Sequence, residues 1–122
     1  KKSDIISIHV NSYKNENFFS KKEMLLCKKN VIIINTSRGE IINEKDLMFF
    51  LKKNKKASAF VDVISNEQVQ SKNKKEGILK FNRIQNNLFI TPHIAGAAID
   101  AQKLTEEIVL FKYMKYENQK LS

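Results

Sequence analysis

Ile5-Ile6-Ser7-Ile8-His9-Val10 is an apolar run interrupted by Ser7 and His9, and it reads as a buried strand. A polar loop, Asn11 to Asn17, follows. Ser20-Lys21-Lys22-Glu23 then has the form of a capping box, with Phe19 and Met24 in the positions of a hydrophobic staple. Asn30 supplies a left-handed stop after Lys28-Lys29, so a helix is expected between Ser20 and that lysine pair. Val31-Ile32-Ile33-Ile34 is a continuous β-branched run, the pattern of a parallel strand buried on both faces. Asn43 can cap a second helix, with Asp46 three residues on and one apolar stripe from Leu47, Phe50 and Leu51. Ala57 to Val63 reads as a third strand and Leu88 to Thr91 as a fourth. Ala101, Leu104, Ile108 and Phe111 recur at helical spacing in a long closing helix that starts near Asp100, within residues 97–122.

The order is therefore β-α-β-α-β-loop-β-α. Such alternation predicts an α/β fold, a mostly parallel sheet with flanking helices. In sheets of this kind the ligand crevice lies beyond the carboxyl ends of the strands. Polar, titratable or glycine-bearing stretches do follow each predicted strand: His9, Asn35 to Gly39, Asp62 to Glu67, and His93 to Gly96.

Composition narrows the setting. The chain has 122 residues, enough for one domain with a modest core. Its longest apolar runs are too short to span a bilayer, and its N-terminus has no signal-peptide apolar region. A single cysteine, Cys27, excludes an internal disulfide and a cysteine-cluster zinc site, and suits a reducing cytoplasm. Cys27 follows Met24-Leu25-Leu26 and reads as a small buried hydrophobe. The net charge is +9, from 22 Lys and Arg against 13 Asp and Glu. Lysines attract phosphates, which raises nucleic-acid binding. However, the lysines come in pairs beside helix ends and loops, such as Lys21-Lys22 and Lys74-Lys75, and the chain has only two arginines. That distribution is a solvated surface rather than a nucleic-acid groove.

The chemistry rests on four post-strand segments that a parallel sheet would bring to one edge. They offer a cation, Arg38, two carboxylates, Asp62 and Glu67, and an imidazole, His93. For an α-hydroxy or α-keto acid substrate, the planar fork of Arg38 would grip the carboxylate and carbonyl oxygens. His93 would take the hydroxyl proton as general base and return it in the reverse direction. Glu67 would orient the imidazole, and Asp62 could accept from an amide on a cofactor. His9 reads as a packed, satisfied histidine.

Four segments in the same order resemble one family. Ile34-Asn35-Thr36-Ser37-Arg38-Gly39 is similar to its strand-end segment hydrophobic-Asn-(Thr/Ala/Ser)-(Ala/Ser)-Arg-Gly. Val61-Asp62-Val63-Ile64-Ser65-Asn66-Glu67 resembles Asp-Val-(Phe/Tyr)-x-x-Glu, and Thr91-Pro92-His93-Ile94-Ala95-Gly96 resembles Thr-Pro-His-(Ile/Thr)-(Ala/Gly)-(Gly/Trp). Ser3 to Val10 is similar to the upstream strand that ends in His-x-Pro. The family is the D-isomer-specific 2-hydroxyacid dehydrogenases, and the resemblance spans positions 3 to 102.

The resemblance implies a Rossmann-like fold and an oxidoreductase that interconverts D-2-hydroxy acids and 2-keto acids with NAD or NADP. It implies a catalytic set of Arg38 for substrate, with Glu67 and His93 as the carboxylate–imidazole pair. Asp62 would bind the nicotinamide carboxamide, and Arg38 and His93 would border the cofactor. Thr36, Ser37, Ala95 and Gly96 would line it through the main chain, and Val10 and Asn11 would lie near nicotinamide and ribose. No metal is implied. The full-length protein would be a homodimer. Four positions depart from the family pattern: Asn11 and Gln68 stand where Pro is common, Ile64 replaces an aromatic, and Asn43 takes a position where Asp often caps. The polar segment Val69 to Lys80 also departs from the usual Pro-rich connection.

The family's Gly-x-Gly-x-x-Gly turn does not occur among the three glycines, Gly39, Gly77 and Gly96. The chain also opens on Lys1-Lys2 without an initiator Met. The expectation is the C-terminal portion of an NAD-binding domain, residues 1–122, with the fingerprint half and the substrate domain absent. Such a piece would be inactive alone and prone to associate through an unpaired apolar edge. A non-catalytic, corepressor-like or pseudoenzyme interaction module of the same fold stands as the alternative. The identity of the hydroxy acid is not legible.

Overall fold

Strands in sequence order and parallel to their neighbours must be joined by crossovers, so the intervening segments are forced onto the faces of the sheet. The computed structural model, which describes residues 2–67 and 77–120, follows this rule. Gln68 and the stretch 69–76, with Lys74-Lys75, lie outside the described residues, as does Lys1. The chain divides into two units, Lys1–Pro92 and His93–Ser122.

In the first unit, β1 (Ile5–Ile8), β2 (Ile32–Asn35), β3 (Ser58–Val61) and β4 (Leu88–Ile90) form a four-stranded sheet in the order β1-β2-β3-β4. All three pairings are parallel, with Ile6 opposite Ile33, Ile33 opposite Ala59, and Ala59 opposite Leu88. Helices α1 (Lys21–Met24), α2 (Glu44–Lys53) and α3 (Gly77–Ile84) connect them, with a 3₁₀ turn at Gly39–Ile41. Three strands are shorter than expected: β1 stops before His9 and Val10, β3 leaves out Ala57, Asp62 and Val63, and β4 stops before Thr91, whereas β2 keeps its length one residue further on.

One sheet face carries the core. Ile8, Ile33, Ala59, Val61 and Leu88 pack with Met24, Leu47, Leu51 and Ile78 from the three helices. The opposite face is open, with Ile5 57%, Phe60 43% and Phe89 46% exposed. There the rings of Phe60 and Phe89 stack at 4.6 Å. The β-branched run is thus not buried on both faces. Val31 and Ile33 are fully buried, whereas Ile32 and Ile34 are only half-buried, because the helices that pack on the sheet contribute to a single cluster.

The expected first helix is a single turn. Its start is as predicted: Phe19 and Met24 are buried, and the Glu23 carboxylate accepts from the Ser20 N–H at 3.1 Å and the Ser20 hydroxyl at 2.8 Å. The hydroxyl bond first, and then the backbone one, hold the Glu23 carboxyl below its ordinary value. That cap is therefore in place at neutral pH and is released as pH falls through the lowered value. The two residues after Met24 bury little: Leu25 is 72% and Leu26 54% exposed. Short helices persist through packing rather than propensity, so the N–H groups of Leu26 and Cys27 fall back on the i−3 carbonyls of Glu23 and Met24. Cys27 is half-buried, and its thiol donates to the Glu23 carbonyl at 3.4 Å. Burial pushes that thiol's pKa up.

The second helix matches expectation. The Asn43 side chain accepts from the Asp46 N–H at 3.1 Å, and Leu47 and Leu51 are fully buried beside a half-buried Phe50. The Asp46 carboxylate accepts from the Lys21 N–H at 2.9 Å, so a residue in the first turn of α2 also serves the start of α1. The stretch expected as a loop between β3 and β4 is not all loop, because Gly77–Ile84 is helical. Its apolar spacing, Ile78 with Phe81, provides a face for the core, which the surrounding lysines concealed. Asn87 then ties the elements together, donating to the carbonyls of Leu51 at 3.1 Å and Ala57 at 2.9 Å.

The second unit consists of a turn and α4 (Ile99–Lys120), a 22-residue helix that starts one residue before Asp100. Beyond the expected stripe, Val109, Leu110 and Met114 place apolar side chains around the axis. No helix among the described residues is long and apolar enough to cross a membrane.

Leu47 is fully buried in the core cluster, so Leu47→Ala is expected to cost about 2–5 kcal/mol in urea denaturation. Leu25→Ala, at a position 72% exposed, is expected to stay within about 0.5 kcal/mol of wild type.

Candidate active site

The carboxyl end of β2 is built around a buried polar side chain. Asn35, 1% exposed, stands where the β-branched run would otherwise continue. Its Oδ1 accepts from the Ser37 N–H at 3.1 Å and the Ser37 hydroxyl at 2.7 Å, while its Nδ2 donates to the Arg38 carbonyl at 3.0 Å. These bonds fold Asn35 to Arg38 into a fixed turn. Thr36 and Arg38 are exposed on it, and Ser37 is half-buried. The Arg38 guanidinium donates to the Ser37 carbonyl at 2.7 Å, and among the described residues it forms no ion pair. A charged, solvent-facing fork on a rigid turn can bind a carboxylate.

Gly39 follows, and here the absence of a side chain is a steric requirement. A Cβ at this position would sit 2.1 Å from the Ile64 carbonyl carbon and 2.4 Å from the Ser65 nitrogen. The turn after β2 and the loop after β3 are therefore in direct backbone contact. The Ser65 N–H donates to the Glu44 carboxylate at 2.6 Å, which links that loop to the start of α2.

The end of β3 presents Asp62, 5% exposed. Its N–H donates to the Asn35 carbonyl at 2.9 Å, and its carboxylate accepts from the Thr91 hydroxyl just beyond β4. Thr91 in turn donates its N–H to the Val61 carbonyl at 3.0 Å. Glu67 is half-buried, with its Oε1 accepting from the Ile64 N–H at 3.3 Å. Asn66, immediately before it, has φ +51°, a left-handed conformation that asparagine tolerates better than most residues. Val10 and Asn11, expected near the cofactor, are exposed just after β1. His9 is exposed rather than packed, its Nε2 2.7 Å from the Ser7 hydroxyl.

The first unit thus gathers Arg38, Asp62 and Glu67 at the carboxyl edge of its sheet. His93, Ala95 and Gly96 belong to the second unit. His93 has φ +56°, uncommon for a residue with a side chain; such conformations concentrate at functional sites. Gly96 lies in open space, with no atom within 4 Å of where a Cβ would stand. Among the described residues, no group of three or more His, Cys, Asp and Glu could hold a metal ion.

Sequence reasoning gave no role to Asn35, Glu44, Ser65 or Thr91, three of which stand within its motifs. A polar residue closing a β-branched run is a signal for Asn35, because an amide buried there must find partners. Glu44 carries no such signal, since its partner lies 21 residues away.

A wholly parallel sheet with covering helices and functional groups at its carboxyl edge is a Rossmann-like α/β architecture. Residues 1–95 match the family described as D-isomer specific 2-hydroxyacid dehydrogenase, NAD binding domain, and the chain belongs to that family. A hydroxypyruvate reductase of Blautia hydrogenotrophica is 34% identical over 109 residues, covering 88% of this chain and 32% of that protein. A glyoxylate reductase of Thermococcus litoralis is 34% identical over 110 residues, covering 89% of this chain and 31% of its own length. The crystal structure of D-lactate dehydrogenase with NAD+ from Lactobacillus jensenii superposes with a TM-score of 0.66 at 28% identity, covering 78% of this chain and 31% of that one. The chain spans about a third of the length of the curated relatives it matches, from 32% and 33% to 31% for the first three.

Gly39→Ala is expected to lower the thermal midpoint and to cost about 1–3 kcal/mol or more, because backbone rather than a flexible side chain must yield. A melting curve matching wild type would show that the two loops are not in contact.

Proposed function

We propose that this chain is the C-terminal portion of the NAD-binding domain of a longer cytoplasmic, homodimeric dehydrogenase that interconverts D-2-hydroxy acids and 2-keto acids. The observation that carries this reading is the gathering of Arg38, Asp62 and Glu67 at the carboxyl edge of a parallel sheet, in a chain of this family. The short share of each relative that it covers supports its being part of a larger enzyme.

The donor set fits the nicotinamide end of NAD or NADP. Asp62 is a buried carboxylate at the crevice edge, able to accept from a carboxamide N–H, and the exposed Thr36 on its turn permits close approach. By the family resemblance, Val10, Asn11, Ser37, Ala95 and Gly96 would also line the cofactor. The 122 residues contain no Gly-x-Gly-x-x-Gly turn for the pyrophosphate, which needs closely approachable backbone at a helix start. When bound, the cofactor supplies the hydride acceptor or donor.

The remaining work falls to side chains. Arg38 holds the substrate carboxylate through charge-assisted hydrogen bonds. His93 accepts the hydroxyl proton during oxidation and delivers it to the carbonyl oxygen during reduction. Glu67 orients the imidazole.

In the full-length gene product, NADH consumption with glyoxylate or hydroxypyruvate tests this reading. His93→Ala is expected to lower kcat by about 10²–10⁴-fold, the usual contribution of a general acid–base group. Arg38→Ala is expected to lower kcat/KM by about 10- to 100-fold, as befits the loss of a charged hydrogen-bond pair. Wild-type rates in either variant would refute the assignment. The 122-residue polypeptide by itself is expected to show no turnover and only weak NAD binding. Micromolar affinity in calorimetric titration would overturn that expectation.

A further inference from the structure

We propose that Glu44 is a positioning residue for catalysis, clamping the peptide between Ile64 and Ser65 so that the loop bearing Glu67 is held against the turn bearing Arg38. The inference rests on the assignment of Glu67 and Arg38 made above and extends it to a residue outside that set.

Two contacts converge on that one peptide, and a third holds the N–H of the peptide before it. From one side Gly39 approaches so closely that a Cβ would lie 2.1 Å from the Ile64 carbonyl carbon. From α2 the Glu44 carboxylate accepts the Ser65 N–H at 2.6 Å. Within the loop, Glu67 Oε1 accepts the Ile64 N–H at 3.3 Å. Gly39 adjoins Arg38 directly, so the position of this peptide sets the spacing between the cation and the carboxylate. Of the three contacts only the Glu44 bond is short, charge-assisted and anchored in a helix, and such bonds are about twice as strong as neutral ones.

Glu44 is also held firmly. It is the first residue of α2, which Asn43 caps through the Asp46 N–H at 3.1 Å and which Leu47 and Leu51 fasten to the core. The carboxylate is half-buried, as are Ser65 and Glu67. The 3.3 Å bond from the Ile64 N–H to Glu67 is, by contrast, local to the segment after β3. Without Glu44, the segment keeps its local bond but loses the bond that joins Ser65 to α2, and the Glu67 carboxylate shifts relative to its partners.

The test is steady-state kinetics of 2-keto acid reduction in the full-length gene product. Glu44→Ala is expected to lower kcat by about 10- to 100-fold, the scale of a displacement near 1 Å, with KM for NADH within about twofold of wild type. Glu44→Gln keeps an oxygen that accepts the Ser65 N–H and is expected to retain kcat within about threefold. Wild-type kcat in Glu44→Ala, or equal loss in both variants, would overturn the clamp. Hydrogen exchange over residues 64–67 separates this from failure of the Glu67 assignment. Should Glu67→Gln prove fully active, that assignment fails, yet faster exchange in Glu44→Ala and not in Glu44→Gln still supports the clamp. Unchanged exchange in Glu44→Ala overturns it.

Discussion

The carboxyl edge of the sheet depends on one buried amide. Asn35 closes β2 at the point where the chain leaves the core, and burial of an amide is tolerable only when its polar atoms are paired. They are paired with the very turn that displays Arg38, while the Asn35 carbonyl receives the N–H of Asp62 from the neighbouring strand. A single residue thereby registers two strands and shapes the turn between sheet and helix. An aliphatic residue there would satisfy the β-branched pattern equally well, yet leave Ser37 and the Arg38 carbonyl without their partners.

A second layer of order follows from the close approach at Gly39. Arg38 and the Asp62–Glu67 loop lie on separate strand ends, and backbone contact between the turn and that loop replaces the side-chain packing that would keep them apart. Glu44 adds a bond from the helix to the same peptide. The site is thus supported from the core outward: Leu47 and Leu51 hold α2, α2 holds Glu44, and Glu44 holds the loop. The Arg38 fork itself stays exposed on the turn, where its guanidinium donates to the Ser37 carbonyl.

The fold was largely legible because parallel strands and amphipathic helices each have a period that the sequence displays. The Asn43 cap and the Leu47–Leu51 stripe read correctly, and the β-branched run is a parallel strand, though one buried on a single face and running from Ile32 to Asn35. Two elements did not. The helix after Ser20 has a good start signal but buries little in the two residues after Met24, and capping alone does not propagate a helix. Helix α3 was hidden in the other direction: lysine-rich surroundings masked the short spacing of Ile78 and Phe81 that the core accepts.

For the site, the sequence by itself determined which chemical groups are present and that they follow strands. A parallel sheet must carry such segments to one edge, so the placement of Arg38, Asp62 and Glu67 there followed from element order. Tertiary structure decided what holds them. The pairing of Thr91 with Asp62, the seat of Ile64 on Gly39, and the reach of Glu44 to Ser65 join residues far apart in the chain. No local pattern encodes those partners, because each contact exists only once the strands have paired and α2 has packed against them.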